Sequence, residues 1–259
     1  MSQFGQELSP NDAPALPLWI DGHAYLLMAE QFQPVLNAQG QVVRRVPLYG
    51  DDAVAIAAQS TARALDLWRV MTIEQRENCF QQLHELLVRY RGHFCKLLAE
   101  EAGFSHELAE AELTQALAAI AGRLTELHDT SGVAAVASDS LAPLAAPLAC
   151  TVDALAAGWG VVVKPSAKAP SALFMIAELC SRAGFPAGLV NCVHGDEAAM
   201  RALCSRPPIA ALAFAGGAEI TRRIAALAPA GRIPCVAGSP DRELQRQWRS
   251  LLGYGDGDA

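Results

Sequence analysis

Apolar and polar residues follow two different rhythms along this chain, and the change falls at Gly132. Upstream, apolar positions recur at helical steps of three and four. Asp51 or Asp52 caps a first expected helix, which runs to about Val70. A second opens at Thr72 with Gln75 as its capping-box partner. Its apolar face carries Ile73, Phe80, Leu83, Leu87, Tyr90, Phe94 and Leu97 or Leu98. A third starts near Ser105, with Leu113, Leu117, Ile120, Leu124 and Leu127 in line. Downstream of Gly132, short apolar runs alternate with helix-length segments. Residues 132–136, 161–164, 189–193, 209–214 and, more weakly, 233–237 read as strands. Residues 144–157, 171–183, 194–205 and 218–227 read as helices. Apolar runs without alternation are strands buried on both faces. Strands and helices joined by short loops make a parallel sheet with right-handed crossovers.

Ahead of the helices, Asp21-Gly22 between the apolar runs of 16–27 is a hairpin signal. A second hairpin pairs 32–36 with 42–46 around Asn37-Ala38-Gln39-Gly40. Together they are expected to form a β-flap rather than a free-standing sheet. At the other end, Asp241 starts an amphipathic helix with Leu244, Trp248 and Leu251 on one face, which packs on its own domain or docks on a partner. The fold class is therefore α/β: a Rossmann-like parallel sheet with flanking helices, preceded by N-terminal β-hairpins and a helical segment. The organisation is a flexible arm over 1–16 and a domain over 17–238, with a C-terminal amphipathic helix and tail over 239–259. Within the domain, hairpins occupy 17–48, helices 51–128 and βα units 132–237.

The 259 residues suffice for one large core, and 52% hydrophobic against 18% charged residues favours a packed chain. A net charge of −7 argues against nucleic acid or an anionic membrane as partner. The seven cysteines are an odd number without CxxC spacing, so they read as buried thiols in a reducing compartment. His84, His93, His106 and His128 lie along the helices without clustering, so no metal site is expected. No secretory leader or membrane-length apolar run is present, and the reading is cytoplasmic.

Lys164 is the leading candidate for chemistry. It ends a buried strand, where open α/β sheets bind ligands, and its ammonium can donate to ribose hydroxyls or phosphate. A lysine simply leaving the core is the competing reading. Gly216-Gly217 before a helix offers backbone N–H groups to an anion, or is a tight turn needing glycine for its backbone angles. Gly195-Asp196 is a weaker case, with Asp196 equally suited to be an N-cap. The fingerprints GxGxxG and GxSxG are absent. Asp139 and Ser138 end the first strand without a histidine beside them in sequence, and no catalytic set assembles.

Taken in order, the motifs resemble the N-terminal half of the aldehyde dehydrogenase superfamily from about Leu16 to Gly231. Trp19-Ile20-Asp21-Gly22, Asn37 with Gly40, and 42–47 look like its opening strand and hairpin. Val163-Lys164-Pro165-Ser166 looks like "LKPSE", Gly184-Phe185-Pro186-Ala187-Gly188-Leu189-Val190-Asn191 like "GLPPGVLN", and Phe214-Ala215-Gly216-Gly217-Ala218-Glu219 like "FTGSTE". The resemblance implies an NAD(P)-binding domain, with Lys164, Ser166, Gly195, Phe214, Gly216 and Gly217 at cofactor positions.

It also marks departures. Residues 132–144 align with "GVVAAITPWNFPL", which sets Leu141 where the family has its oxyanion asparagine. Ala167 replaces the acid that usually holds the adenosine ribose, and Gly217 the serine that meets the pyrophosphate. The segment before Gly132 is short, so the hairpin of the family's oligomer arm is expected to be missing. Near 235–239 the "ELGG" general base has no counterpart, Cys235 sits in a strand, and the sequence stops before the catalytic-cysteine domain. The resemblance thus implies a pseudoenzyme, a structural or regulatory subunit docking on a catalytic dehydrogenase or other pathway enzyme. The alternative is an NAD(P)-binding component whose catalytic cysteine comes from another chain.

Overall fold

A computed structural model describes residues 13–25, 27–29, 31–121, 132–231 and 233–254. Most of the expected arm, the helix positions Leu124 and Leu127, His128 and the tail after Tyr254 lie outside them. Pro14 to Leu16 are not loose: the Arg45 N–H donates to Pro14 O and the Leu16 N–H to Arg45 O, both at 3.0 Å.

The first hairpin is β1 (Leu18–Ile20) and β2 (His23–Tyr25). Its turn residues Asp21 and Gly22 have φ of 54° and 76°, the left-handed pair that a two-residue hairpin turn requires. The second is β3 (Phe32–Leu36) with β4 (Val42–Pro47). Then follow α1 (Asp51–Val70), α2 (Ile73–Arg89), α3 (Arg91–Ala102) and α4 (His106–Ala121). The expected second helix is therefore two. Tyr90, with φ −95° and ψ 12°, interrupts it, next to Gly92, a weak helix former. The Thr72–Gln75 capping box is formed. Ile73 is exposed rather than on the buried face, because it belongs to the first turn, ahead of the packed stretch.

The second half runs β5 (Val133–Ser138), α5 (Ala145–Ala156), β6 (Gly160–Lys164), α6 (Ser171–Arg182) and β7 (Val190–Cys192), then α7 (Glu197–Leu203), β8 (Ile209–Ala215), α8 (Ala218–Gly231), β9 (Cys235–Gly238) and α9 (Arg242–Leu252). The main sheet has the order β2-β1-β7-β6-β5-β8-β9. From β7 to β9 all neighbours are parallel. β1 joins antiparallel to β7, with Trp19 opposite Cys192. Among the described residues only β3 and β4 stand as a separate ribbon, so the first hairpin is an edge of the core sheet and not part of a flap. Every residue of β5 and β6 is buried, with α1 and α5 packed on them.

Asn191 ties the sheet to its surroundings. Fully buried, it donates through Nδ2 to the carbonyls of Ala57 and Gly188 and to Thr61 Oγ1, each at 2.9 Å, and accepts from the Asp21 N–H at 3.1 Å. One side chain thus joins the first hairpin, α1 and the turn entering β7.

The apolar face of α9 is already covered. Leu244, Trp248 and Leu252 are buried, with Leu252 and not Leu251 innermost. Trp248 Nε1 donates to Cys150 O at 2.9 Å and the Tyr254 hydroxyl to Asp153 O at 2.8 Å. Of the two expectations for this helix, the structure has it on its own domain.

Asn191→Ala leaves the Asp21 amide and two buried carbonyls short of a partner, and is expected to cost about 2–4 kcal/mol. Urea unfolding measures this, and a loss under about 0.5 kcal/mol would show that Asn191 does not hold these elements together.

Candidate functional site

The strand order reverses at β5. β6 and β7 step to one side of it, β8 and β9 to the other. Such a switch opens a crevice at the carboxyl ends of the central strands. The residues singled out in the sequence fall along that edge. Ala137 of β5 stands opposite Lys164 on one side and Phe214 on the other, which sets those two about 10 Å apart by strand spacing.

Lys164 is 7% exposed. Burial pushes its ammonium down to about 8, with Asp196 and Cys192 acting in the opposite direction. It makes no hydrogen bond or ion pair with a described residue. Beside it, His194 is 1% exposed, with Nε2 at 3.1 Å from Pro17 O. Burial, and then the charge of Lys164, push this imidazole down to about 3. It is therefore neutral at physiological pH, with its proton on Nε2 to satisfy the carbonyl.

The other candidates are engaged structurally. Ser166 Oγ accepts from the Lys168 N–H at 3.2 Å, a local turn that leaves its own hydrogen to donate elsewhere. A Cβ on Gly195 would come within 2.2 Å of Tyr49 O, so packing against that backbone is sufficient reason for glycine. Asp196 caps α7, accepting from the Ala198 N–H at 2.8 Å. Phe214 is buried within β8.

Gly216 and Gly217 depart from the turn reading, since neither has positive φ. A Cβ on Gly216 would lie 2.5 Å from the Asp139 carboxyl carbon. Asp139, half-buried after β5, spans the crevice. Its backbone N–H donates to Ala215 O at 3.2 Å. Oδ2 accepts from the Gly217 N–H at 2.7 Å, and Oδ1 from the Leu141 N–H at 2.8 Å. A carboxylate of the chain itself therefore sits at the first turn of α8, where the helix dipole and free N–H groups favour an anion. Sequence reasoning placed Asp139 at the strand end and missed this role. The signal was the aspartate two residues before Leu141, a local capping spacing, facing two glycines across the switch.

Leu141 is 66% exposed and borders a cavity of about 620 Å³, lined also by Glu112 of α4, the alanine face of α5, and Pro240 to Arg242. No cysteine, histidine, serine or threonine is among its described lining residues. Glu112 is spoken for: it caps α5, accepting from the Ala145 N–H at 2.8 Å and the Leu144 N–H at 3.3 Å. All seven cysteines are free and, apart from the half-buried Cys235, buried. Desolvation raises each thiol, to about 11 for Cys79 and about 12 for Cys235, which disfavours the nucleophilic thiolate. Among the described residues no group of three or more His, Cys, Asp or Glu could hold a metal ion. No described helix is long and apolar enough to cross a membrane.

Residues 26–237 match the model of the aldehyde dehydrogenase family, and the chain belongs to that family. The NADP(+) succinate-semialdehyde dehydrogenase GabD of Escherichia coli is 29% identical, over 80% of this chain and 46% of that protein. Malonate-semialdehyde dehydrogenase of Pseudomonas aeruginosa is 27% identical, over 87% of this chain and 50% of that protein. The crystal structure of methylmalonate-semialdehyde dehydrogenase from Oceanimonas doudoroffii superposes with TM-score 0.80 at 25% identity, covering 87% of this chain and 51% of that one. The chain spans about half the length of the relatives it matches.

The buried His194 makes stability pH-dependent. An unfolded chain protonates its histidine near 6.5, whereas folded His194 stays neutral down to about 3. Between those values the unfolded state binds more protons, so stability falls as pH falls, by up to about 1.4 kcal/mol per unit. From pH 6.5 to 5 the native protein is expected to lose about 2 kcal/mol more than His194→Gln in urea unfolding. Equal losses would contradict a neutral, buried His194.

Proposed function

We propose that this aldehyde dehydrogenase family member is a non-catalytic subunit, structural or regulatory, that associates with a catalytic dehydrogenase or another enzyme of its pathway. The observation that carries this reading is the β5–α5 connection. Acyl chemistry needs donors aimed at the developing oxyanion. At the position corresponding to the family's asparagine, Leu141 supplies an exposed alkyl group. The cavity it borders offers no nucleophile among its described lining residues, and the cysteines are desolvated thiols rather than activated ones.

The family implies a nicotinamide dinucleotide, and the residues present do not suit its pyrophosphate at α8. The Gly217 N–H is taken by Asp139, Gly217 has no hydroxyl, and a second anion there would face the carboxylate. Ala167 leaves the ribose without an acidic partner. What the crevice residues do is hold one another: Asp139 joins β5 to α8, and Ser166 closes the turn after β6.

A second reading has one observation in its favour. Lys164 keeps a buried ammonium at the strand end, acted on by the charge of Asp196 but without a described hydrogen bond, the place from which a ribose hydroxyl is reached. On this reading the chain binds NAD(P) and another chain supplies the cysteine. GabD, described as an NADP(+) enzyme, is one relative that points the same way.

Three measurements test these readings, and the titration separates them. Incubated with succinate or malonate semialdehyde and NAD or NADP, the chain alone is expected to form no NADH or NADPH, and aldehyde-dependent formation would overturn the proposal. Calorimetric titration with millimolar NAD and NADP is expected to show no heat of binding; saturable heat would favour the second reading. The untagged protein is expected to co-purify with an enzyme from its own cell, and a solitary monomer would count against a subunit role.

A further inference from the structure

We infer that Asp139 is the residue that sets the ligand selectivity of the switch-point crevice: its carboxylate fills the place of a phosphate at the first turn of α8 and excludes phosphate-bearing ligands from it. The inference deepens the non-catalytic reading and rests on it. Three observations converge. The Gly217 N–H, which an incoming anion would need, donates to Asp139 Oδ2 at 2.7 Å. The other carboxylate oxygen is held by the Leu141 N–H at 2.8 Å, so the group is clamped from both sides of the crevice and not merely adjacent. Gly216 is fitted to it as well: a Cβ there would stand 2.5 Å from both Asp139 Cγ and Oδ2, so carboxylate and glycine form a matched pair.

Electrostatics gives the pair its consequence. A helix N-terminus attracts an anion because its first N–H groups are unpaired and its dipole end is positive. Once a tethered carboxylate takes the Gly217 N–H and stands at the positive end of the dipole, a phosphate meets like charge and one donor fewer. Lys164 does not offset this, because it stands across β5 and the negative group acting on it is Asp196, on the β7 side. A Cβ on Gly217 would lie 3.0 Å from Cδ1 of the exposed Leu141 side chain, which can give way, so the Asp139 carboxylate and not Leu141 is the obstacle at this turn.

Amide chemical shifts of Gly216 and Gly217, followed by ¹H–¹⁵N NMR while inorganic pyrophosphate is added, test this directly. In the native protein both signals are expected to stay put. In Asp139→Ala they are expected to move and saturate, with apparent affinity at least about tenfold above native, the factor that one lost charge-assisted contact commonly represents. Asp139→Asn keeps an acceptor and the shape while removing the charge, so it carries the test if the alanine variant fails to fold; its response is expected to lie between the two. Equal responses in native protein and folded variants would overturn the inference, as would unmoved glycine signals in both variants. Either result leaves the non-catalytic reading standing, since that reading is decided by turnover with semialdehyde and not by anion binding.

Discussion

The structure depends on the complete burial of its central strands. β5 and β6 have no exposed residue, so their ladders are shielded on both faces and polar side chains are admitted only at the ends. That constraint concentrates the polar groups of the core at one place, the carboxyl edge. It also requires them to be paired there, because an orphaned buried polar group costs about 1–3 kcal/mol. In a ligand-binding sheet some of the partners are supplied by the ligand. At the half-buried and exposed rim of this edge the chain also makes contacts of its own: Asp139 with Gly217 and Leu141, Ser166 with Lys168, and Asp196 with Ala198.

Two groups at the edge show how far this goes. Lys164 keeps its charge with the help of Asp196 but at a depressed pKa, burial outweighing that attraction, and its charge in turn helps keep His194 neutral. The pair is a local electrostatic compromise, built around one lysine at a fixed strand end. Ser138, the last residue of β5, has a buried hydroxyl with no hydrogen-bond partner. The edge therefore pairs Asp139 with Gly217 while the neighbouring Ser138 hydroxyl is left without a partner.

Much of the fold could be read from the chain because local signals and tertiary packing agree. The double-sided apolar runs, the Thr72 capping box and the Asp21-Gly22 turn each specify their own geometry within a few residues. The differences arose where distant residues decide. The edge pairing of Trp19 with Cys192 cannot be seen in a hairpin considered alone. The break at Tyr90 interrupts an apolar face whose period continues through it. The covered face of α9 depends on Cys150 and Asp153, about a hundred residues upstream.

The candidate site was legible in position and not in state. Motif order located Lys164, Gly195, Phe214 and the Gly216-Gly217 pair along one edge, but a glycine pair carries no information about what fills the space its missing side chains leave. Asp139 is 78 residues from Gly217, and only the parallel pairing of β5 with β8 brings them together. The account turns on that contact, and hydrogen–deuterium exchange at the Gly217 amide addresses it most directly. It predicts an amide protected to the level of the neighbouring sheet in the free protein, with no further protection when NAD or NADP is added. Rapid exchange in the free protein that slows on adding either nucleotide would contradict it.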